Sequence, residues 1–80
     1  MPKASFSARY DRFRAMLADA RKTAGLTQSA LAIRLRKPQS FVSKYENGER
    51  RLDVVEFLDV AAAIGVEPSA FIRKLSRVSD

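Results

Sequence analysis

The chain has 80 residues, carries 15 Lys and Arg against 9 Asp and Glu for a net charge of +6, and contains neither cysteine nor histidine. A chain of this length forms one small domain, and the missing residue types exclude disulfides, thiolate metal sites and histidine as a general base. No apolar run approaches the roughly 20 residues that span a bilayer, and the polar N-terminus lacks the apolar core of a signal peptide. These features predict a cytoplasmic protein that is not an enzyme, has no membrane association and needs no cofactor, metal or small-molecule ligand.

The positive charge is concentrated in the first two thirds of the chain. Residues 1–51 contain twelve basic and four acidic side chains, whereas residues 52–80 contain three basic and five acidic ones. A domain that is basic on one side and neutral to acidic elsewhere has the charge distribution expected of a protein that binds a polyanion. A basic surface kept for solubility has the same composition, so the charge by itself leaves both interpretations open.

The first two helices are predicted from apolar spacing and from their end signals. Apolar residues recur at intervals of three and four over about 7–24, and Gly25 follows as a C-terminal stop. The second helix begins after Thr27, whose side chain can cap the first turn. It ends near Arg36, because Pro38 disfavours a helical conformation at the residue before it.

The third helix is predicted over about 38–47. Proline suits a helix start because its missing N–H has no partner there, and Asn47-Gly48 is a turn signal that ends the helix. Val42 and Tyr45 form its inward face.

The fourth helix has the best-specified start in the chain. Asp53 and Glu56 have the spacing of a capping box, and Gly65 ends the helix. A fifth helix begins at Pro68. Since no stretch alternates apolar with polar residues, no strand is predicted.

These elements predict a compact five-helix, all-α domain over residues 7–76. We expect residues 1–6 to form a flexible N-terminal arm and residues 77–80 to fray, as chain ends commonly do.

Helices two and three are short and about three residues apart, which is the layout of a helix-turn-helix whose second helix enters the DNA major groove. A family resemblance rests on two segments, Gly25-Leu26-Thr27-Gln28-Ser29-Ala30-Leu31-Ala32 and Ser43-Lys44-Tyr45-Glu46-Asn47-Gly48. They resemble the phage-repressor and Cro type of helix-turn-helix, also called the XRE family, and the resemblance covers roughly residues 17–75. It implies a small transcriptional regulator that binds a specific site on double-stranded DNA.

The resemblance also implies base contacts from the exposed side of helix three, at Gln39, Ser40, Ser43 and Lys44. Glutamine can pair with adenine through two hydrogen bonds, and lysine can reach the guanine acceptors. The alternative interpretation is a plain solvated helix face.

Phosphate contacts are implied at the start of helix two and around helix three. Gln28 matches the glutamine that hydrogen-bonds a DNA phosphate in the family, and the free amides of a helix N-terminus suit an anion. The expected set is Gln28, Arg36, Lys37, Asn47, Arg50 and Arg51. The alternative for Arg50 and Arg51 is a solvated loop.

Two further positions concern structure. Arg21 and Glu46 match a family ion pair between helix one and helix three, which would fix the recognition helix. Arg36 aligns with the position where the turn usually has a left-handed glycine, so a non-glycine residue there costs roughly 1 kcal/mol or changes the turn.

One domain of this size covers little DNA, so we expect a homodimer on a palindromic operator with two half-sites. The expected dimer contact is formed by apolar residues of helices four and five, Val55, Leu58, Ile72 and Leu75. The alternative contact is N-terminal, at Phe6, Tyr10 and Phe13.

Two other functions remain open. A helix-turn-helix domain can serve as a protein-interaction module without specific DNA binding, although such a module has no need of the basic excess. A basic amphipathic helix can also bind a membrane surface, but the apolar face of helix one is explained more simply as core.

Overall fold

The computed structural model describes residues 7–79, so the predicted arm at residues 1–6 lies outside the described residues. The described chain contains five helices and no strand: α1 (Ala8–Thr23), α2 (Gln28–Leu35), α3 (Gln39–Asn47), α4 (Val54–Ile64) and α5 (Pro68–Ser76). The predicted all-α, five-helix fold is confirmed, with element ends within one or two residues of those expected.

Local side-chain caps explain where three of the helices begin. The hydroxyl of Ser7 accepts a hydrogen bond from a backbone amide in the first turn of α1, and Thr27 does the same for α2. At α4 the carboxylate of Asp53 accepts from the amide of Glu56, while Glu56 accepts from the amide of Asp53. The capping box predicted from the sequence is therefore formed, and these caps satisfy amides that the helix itself leaves unpaired.

The core lies where all five helices meet. The side chains of Phe13, Phe57 and Phe71 contact one another with ring centroids 5.4–6.2 Å apart, which joins α1, α4 and α5. Val42 and Tyr45 are fully buried, as expected for the inward face of α3. The other buried apolar residues are Leu17, Leu31, Ala32, Val60, Ala61 and Ile64.

Helix packing leaves one side of α3 uncovered. α3 packs on α1 and α2, α2 also packs on α4, and α5 packs on α1 and α4. Three residues connect α2 to α3, and they set α3 across the end of α2 in the geometry of a helix-turn-helix.

The chain after α5 is tied back to the domain. The amide of Val78 donates to the carbonyl of Leu75, and the guanidinium of Arg9 donates to the carbonyl of Val78 over 2.8 Å. The fraying expected over residues 77–80 stays a prediction, and the sequence did not indicate the contact from Arg9, which lies at the opposite end of the chain. Within the described part of the chain, none of the helices combines the length and apolar character needed to cross a membrane.

The turn between α2 and α3 keeps its left-handed residue although that residue is arginine. Arg36 has φ 57° and ψ 42°, and the amide of Lys37 donates to the carbonyl of Ala32, which closes the end of α2. The turn therefore has the usual shape, and the departure in sequence is accommodated as backbone strain of about 1 kcal/mol.

Replacing Arg36 with glycine should separate the effect of the left-handed backbone strain from any contact of the arginine side chain with DNA. We expect the free energy of unfolding to rise by up to about 1 kcal/mol, partly offset by the greater freedom of glycine in the unfolded chain. If Arg36 contacts a phosphate, the same variant should lower the slope of log affinity against log salt by about 0.9. Denaturant titration and DNA titration at several salt concentrations measure the two effects independently, and a less stable variant would contradict the strain.

Candidate nucleic-acid interface

The uncovered face of α3 is polar. Gln39, Ser40 and Lys44 are exposed and Ser43 is half-buried, while Val42 and Tyr45 turn into the core. Four side chains with hydrogen-bonding groups therefore share one helix face, and the ammonium group of Lys44 makes no hydrogen bond or ion pair with any residue in the described range. This arrangement presents donors and acceptors to an external partner along the first half and middle of the helix.

The other end of α3 is fixed by a buried ion pair. Arg21 and Glu46 bind through two parallel contacts, Nε to Oε2 at 2.7 Å and Nη2 to Oε1 at 3.0 Å, and both side chains are less than one tenth exposed. Arg21 also donates to the carbonyl of Leu26 at 2.8 Å, and Arg14 donates to the backbone carbonyl of Glu46 at 2.7 Å. The hydrogen bond that Arg21 donates to the carboxylate of Glu46 raises the pKa of Arg21, so the guanidinium stays charged.

A relay of amide side chains extends this network to the polar face. Gln28, at the start of α2, donates to Oε1 of Glu46 at 3.0 Å. Gln39 then donates from its Nε2 to Oε1 of Gln28 at 2.8 Å. A glutamine amide carries two hydrogens and an acceptor oxygen, so Gln39 keeps one N–H and its carbonyl for another partner while its orientation is held.

Three exposed cations lie at or beside α3. Arg36 and Lys37 occupy the turn that precedes the helix, and Lys44 lies on its polar face. The ammonium of Lys37 lies 5.5 Å from the centroid of the Phe41 ring, which holds it against the helix start. These residues form a positive rim around the polar face.

Arg50, which was expected to approach phosphate, has other partners in the structure. Its guanidinium binds both carboxylate oxygens of Glu56, donates to the carbonyl of Arg51 at 2.9 Å and lies 4.8 Å from the centroid of the Phe41 ring. The same contact lowers the pKa of Glu56 to about 2, so the ion pair is intact at neutral pH. Arg50 therefore has partners within the domain while its side chain is still 39% exposed, and its phosphate contact stays a prediction.

Asn47 and Arg51 also have contacts of their own. The side chain of Asn47 binds Glu49 through both its amide nitrogen and its oxygen, and so shapes the turn after α3. The guanidinium of Arg51 lies 4.4 Å from the centroid of the Tyr10 ring and remains exposed.

The expected dimer residues lie on α4 and α5. Val55 is 63% exposed, and Leu58 and Ile72 are just under half exposed, while Leu75 is half-buried against the core. Val54, which the prediction left out of the contact set, is 69% exposed beside them. The structure thus brings apolar side chains of α4 and α5 to the surface.

Sequence reasoning missed the Gln28 relay, the Arg14 contact and the Arg50–Glu56 pair. The capping box identified Glu56 as a helix-start residue, but no spacing rule connects it to an arginine in the preceding loop. Nor does any local pattern indicate that two glutamines eleven positions apart touch, since this depends on the angle between α2 and α3.

The α2–α3 pair, with its buried ion pair and its exposed polar face, defines a helix-turn-helix DNA-binding domain. The family model HTH_3, described as Helix-turn-helix, matches residues 17–71. The chain belongs to this helix-turn-helix family, of the XRE type, whose members are DNA-binding regulators and not enzymes. The predicted family and the prediction that the chain is not an enzyme are confirmed.

Solved structures agree with this assignment. An XRE-family like protein from Pseudomonas syringae pv. tomato str. DC3000 is 52% identical, with a TM-score of 0.86 over 91% of this chain and 89% of that one. The restriction-modification controller protein C.AhdI from Aeromonas hydrophila is 31% identical, with a TM-score of 0.73 over 81% and 98%. The wild-type restriction-modification controller protein C.Esp1396I shares the fold at 19% identity, with a TM-score of 0.80 over 90% and 94%. No curated relative matches this chain.

Proposed function

We propose that this protein regulates transcription by inserting α3 into the major groove of a specific DNA site. The observation that carries the proposal is the polar face of α3, which the core leaves uncovered while both ends of the helix are anchored. An α-helix fits the major groove, where the base edges present a different donor and acceptor pattern for each base pair. The place of action is the cytoplasm, at the nucleoid.

Gln39 and Lys44 are the principal base readers in this proposal, with Ser40 and Ser43 between them. Gln39 lies at the N-terminal end of the helix, which enters such grooves most deeply. Its contact with Gln28 supports this role, because a side chain already held in one orientation loses less conformational entropy on binding.

Phosphate contacts would position the domain and supply most of the affinity, without carrying sequence information. The exposed cations Arg36 and Lys37 and the aromatic-stacked Arg51 are proposed for this role, together with Asn47. Gln28 joins them because one of its amide hydrogens is left over after the bond to Glu46.

The proposed assembly is a homodimer on a palindromic operator, joined through Val55, Leu58, Ile72 and Leu75. Their side chains offer an apolar surface away from α3, so both recognition helices could meet one face of the DNA. Half-sites about 10–10.5 base pairs apart would match such a dimer.

The system under control is proposed from similarity alone. C.AhdI is named a restriction-modification controller, and its 31% identity over nearly its whole length supports a comparable controller role here. Reporter expression from a promoter beside the selected operator would show whether binding represses or activates transcription.

Replacing Gln39 and Lys44 with alanine should remove sequence preference and leave the fold intact, because both side chains are exposed. Each good base contact is worth about 1–3 kcal/mol of discrimination. Competition between the selected operator and random DNA measures the loss. Lys74→Ala is the matched control, since it removes an equally exposed lysine from α5 and should keep the preference. Preference that survives in the double variant would assign α3 another role, such as protein interaction.

A further inference from the structure

A second set of contacts holds the N-terminal half of α3, and it lies on the side of Phe41. Phe41 lies on α3 between the exposed Ser40 and the buried Val42, and its ring packs edge-on against Tyr45 with centroids 5.7 Å apart. The guanidinium of Arg50 covers the ring, and Glu56 holds that guanidinium through two contacts. We call the set of Phe41, Arg50 and Glu56 the loop clamp.

The loop clamp links α3 to α4 through side-chain contacts, in addition to the helix packing that runs through α2. α3 packs on α1 and α2, and α4 reaches it through α2. Glu56 belongs to the first turn of α4, where its Oε1 also accepts the amide of Asp53 in the capping box. A single carboxylate therefore contacts both the start of α4 and the loop residue that covers Phe41 of α3.

We propose that Arg50 and Glu56 are positioning residues that fix the angle between α3 and α4, and so set the half-site spacing that the dimer reads. The proposal rests on the proposed function, in which α3 reads the groove and α4 carries part of the dimer contact. Val55 and Leu58 flank Glu56 along α4, so a change in how Glu56 holds Arg50 would tilt one recognition helix relative to its copy. Because both protomers carry the same change, the tilts of the two recognition helices both alter the distance between the half-sites that the dimer reads.

Spacing is the property that this angle controls. Adding one base pair between half-sites moves them about 3.4 Å apart and rotates one against the other by about 34°, since a helical turn holds about 10.5 base pairs. A dimer with fixed recognition helices should bind the altered spacing less tightly, whereas a dimer whose recognition helices tilt freely should bind both spacings with similar affinity. Base preference within each half-site depends on Gln39 and Lys44 and is unaffected.

The test uses Glu56→Gln, which keeps an amide oxygen for the capping box and removes the charge that holds Arg50, and Arg50→Gln, which removes the guanidinium. Asp59→Asn is the matched control, because it neutralises an exposed carboxylate one turn further along α4. Affinity is measured for the selected operator and for versions with one base pair added or removed, at several salt concentrations. Circular dichroism melting establishes that each variant is folded.

A dimer that reads half-sites at a fixed geometry should bind one operator spacing more tightly than the others, so we expect wild type and Asp59→Asn to prefer that spacing by at least about 10-fold in affinity. Both clamp variants should prefer it by no more than about 2-fold. Base preference within each half-site should be unchanged in all of them. Clamp variants that keep the wild-type spacing preference would overturn the proposal and leave the proposed function standing. A uniform loss of affinity for Arg50→Gln, with the salt slope lower by about 0.9, would also overturn it and make Arg50 a phosphate contact. A wild-type protein that shows no preference for any DNA site would overturn the proposed function, and it would also overturn the proposed role of the loop clamp.

Discussion

Replacing Glu46 with alanine is expected to lower the free energy of unfolding by about 3–5 kcal/mol, because it leaves the buried charge of Arg21 without its partner. Arginine cannot escape this cost by losing its proton, since a guanidinium stays protonated in proteins with or without a carboxylate partner. The change also removes the carboxylate that accepts a hydrogen bond from Gln28, so the Gln28 side chain that accepts from Gln39 is no longer fixed by Glu46. At about 4–8 °C per kcal/mol for a domain of this size, the melting temperature should fall by more than about ten degrees.

Two variants show whether the buried charge causes the loss. Glu49→Ala removes a carboxylate three residues along the chain that binds only the adjacent turn, and it should cost less than about 1 kcal/mol. Arg21→Met combined with Glu46→Met should recover much of the stability, because removing both partners leaves no buried charge. Chemical denaturation provides the comparison. A Glu46→Ala protein within about 1 kcal/mol of wild type would mean that the pair is not a principal anchor of α3.

Replacing Leu58 and Ile72 with glutamate should convert the dimer to monomers and reduce specific DNA affinity by at least about 100-fold. Specific complexes are typically about 10³–10⁷ times tighter than non-specific ones, and a monomer keeps only one half-site of contacts. Both side chains are nearly half exposed, so the charges should be accommodated in the folded monomer. Sedimentation equilibrium over a concentration series, with and without operator DNA, measures the assembly.

Ile33→Glu controls for adding a charge to an exposed apolar site. Ile33 is 77% exposed on α2, away from the proposed contact, and the variant should remain dimeric. A dimer that persists in the double glutamate variant would move the interface elsewhere. Of the alternative N-terminal contact, Phe13 is buried in the core and Phe6 lies outside the described residues, which leaves the half-buried Tyr10. A wild type that is monomeric both free and on DNA would refute the dimer.

The helices and their caps follow from local sequence, which is why they could be predicted. Thr27, Asp53 and Gly65 act within one turn of their own position, and apolar spacing identifies the inward residues of each helix without knowledge of the others. The Arg21–Glu46 pairing came from family resemblance, because nothing local connects residues 25 positions apart.

The contacts that could not be predicted all depend on helix angles. Arg50 was assigned to phosphate because it is basic and follows the recognition helix, and the fold also gives it Glu56 and Phe41 as partners, which no spacing rule indicates. Gln39 was assigned only an external partner, yet the crossing of α2 and α3 also gives it Gln28. In both cases the three-dimensional neighbour decides the contact, and sequence spacing does not indicate which neighbour that is.

Selection of bound sequences from a random pool of double-stranded DNA tests most directly the claim that α3 reads a specific site. We expect an enriched palindrome with half-sites about 10–10.5 base pairs apart, and a changed base preference when the selection is repeated with Gln39→Ala. A pool that shows no enriched motif, while the protein still binds DNA in proportion to its charge, would contradict it.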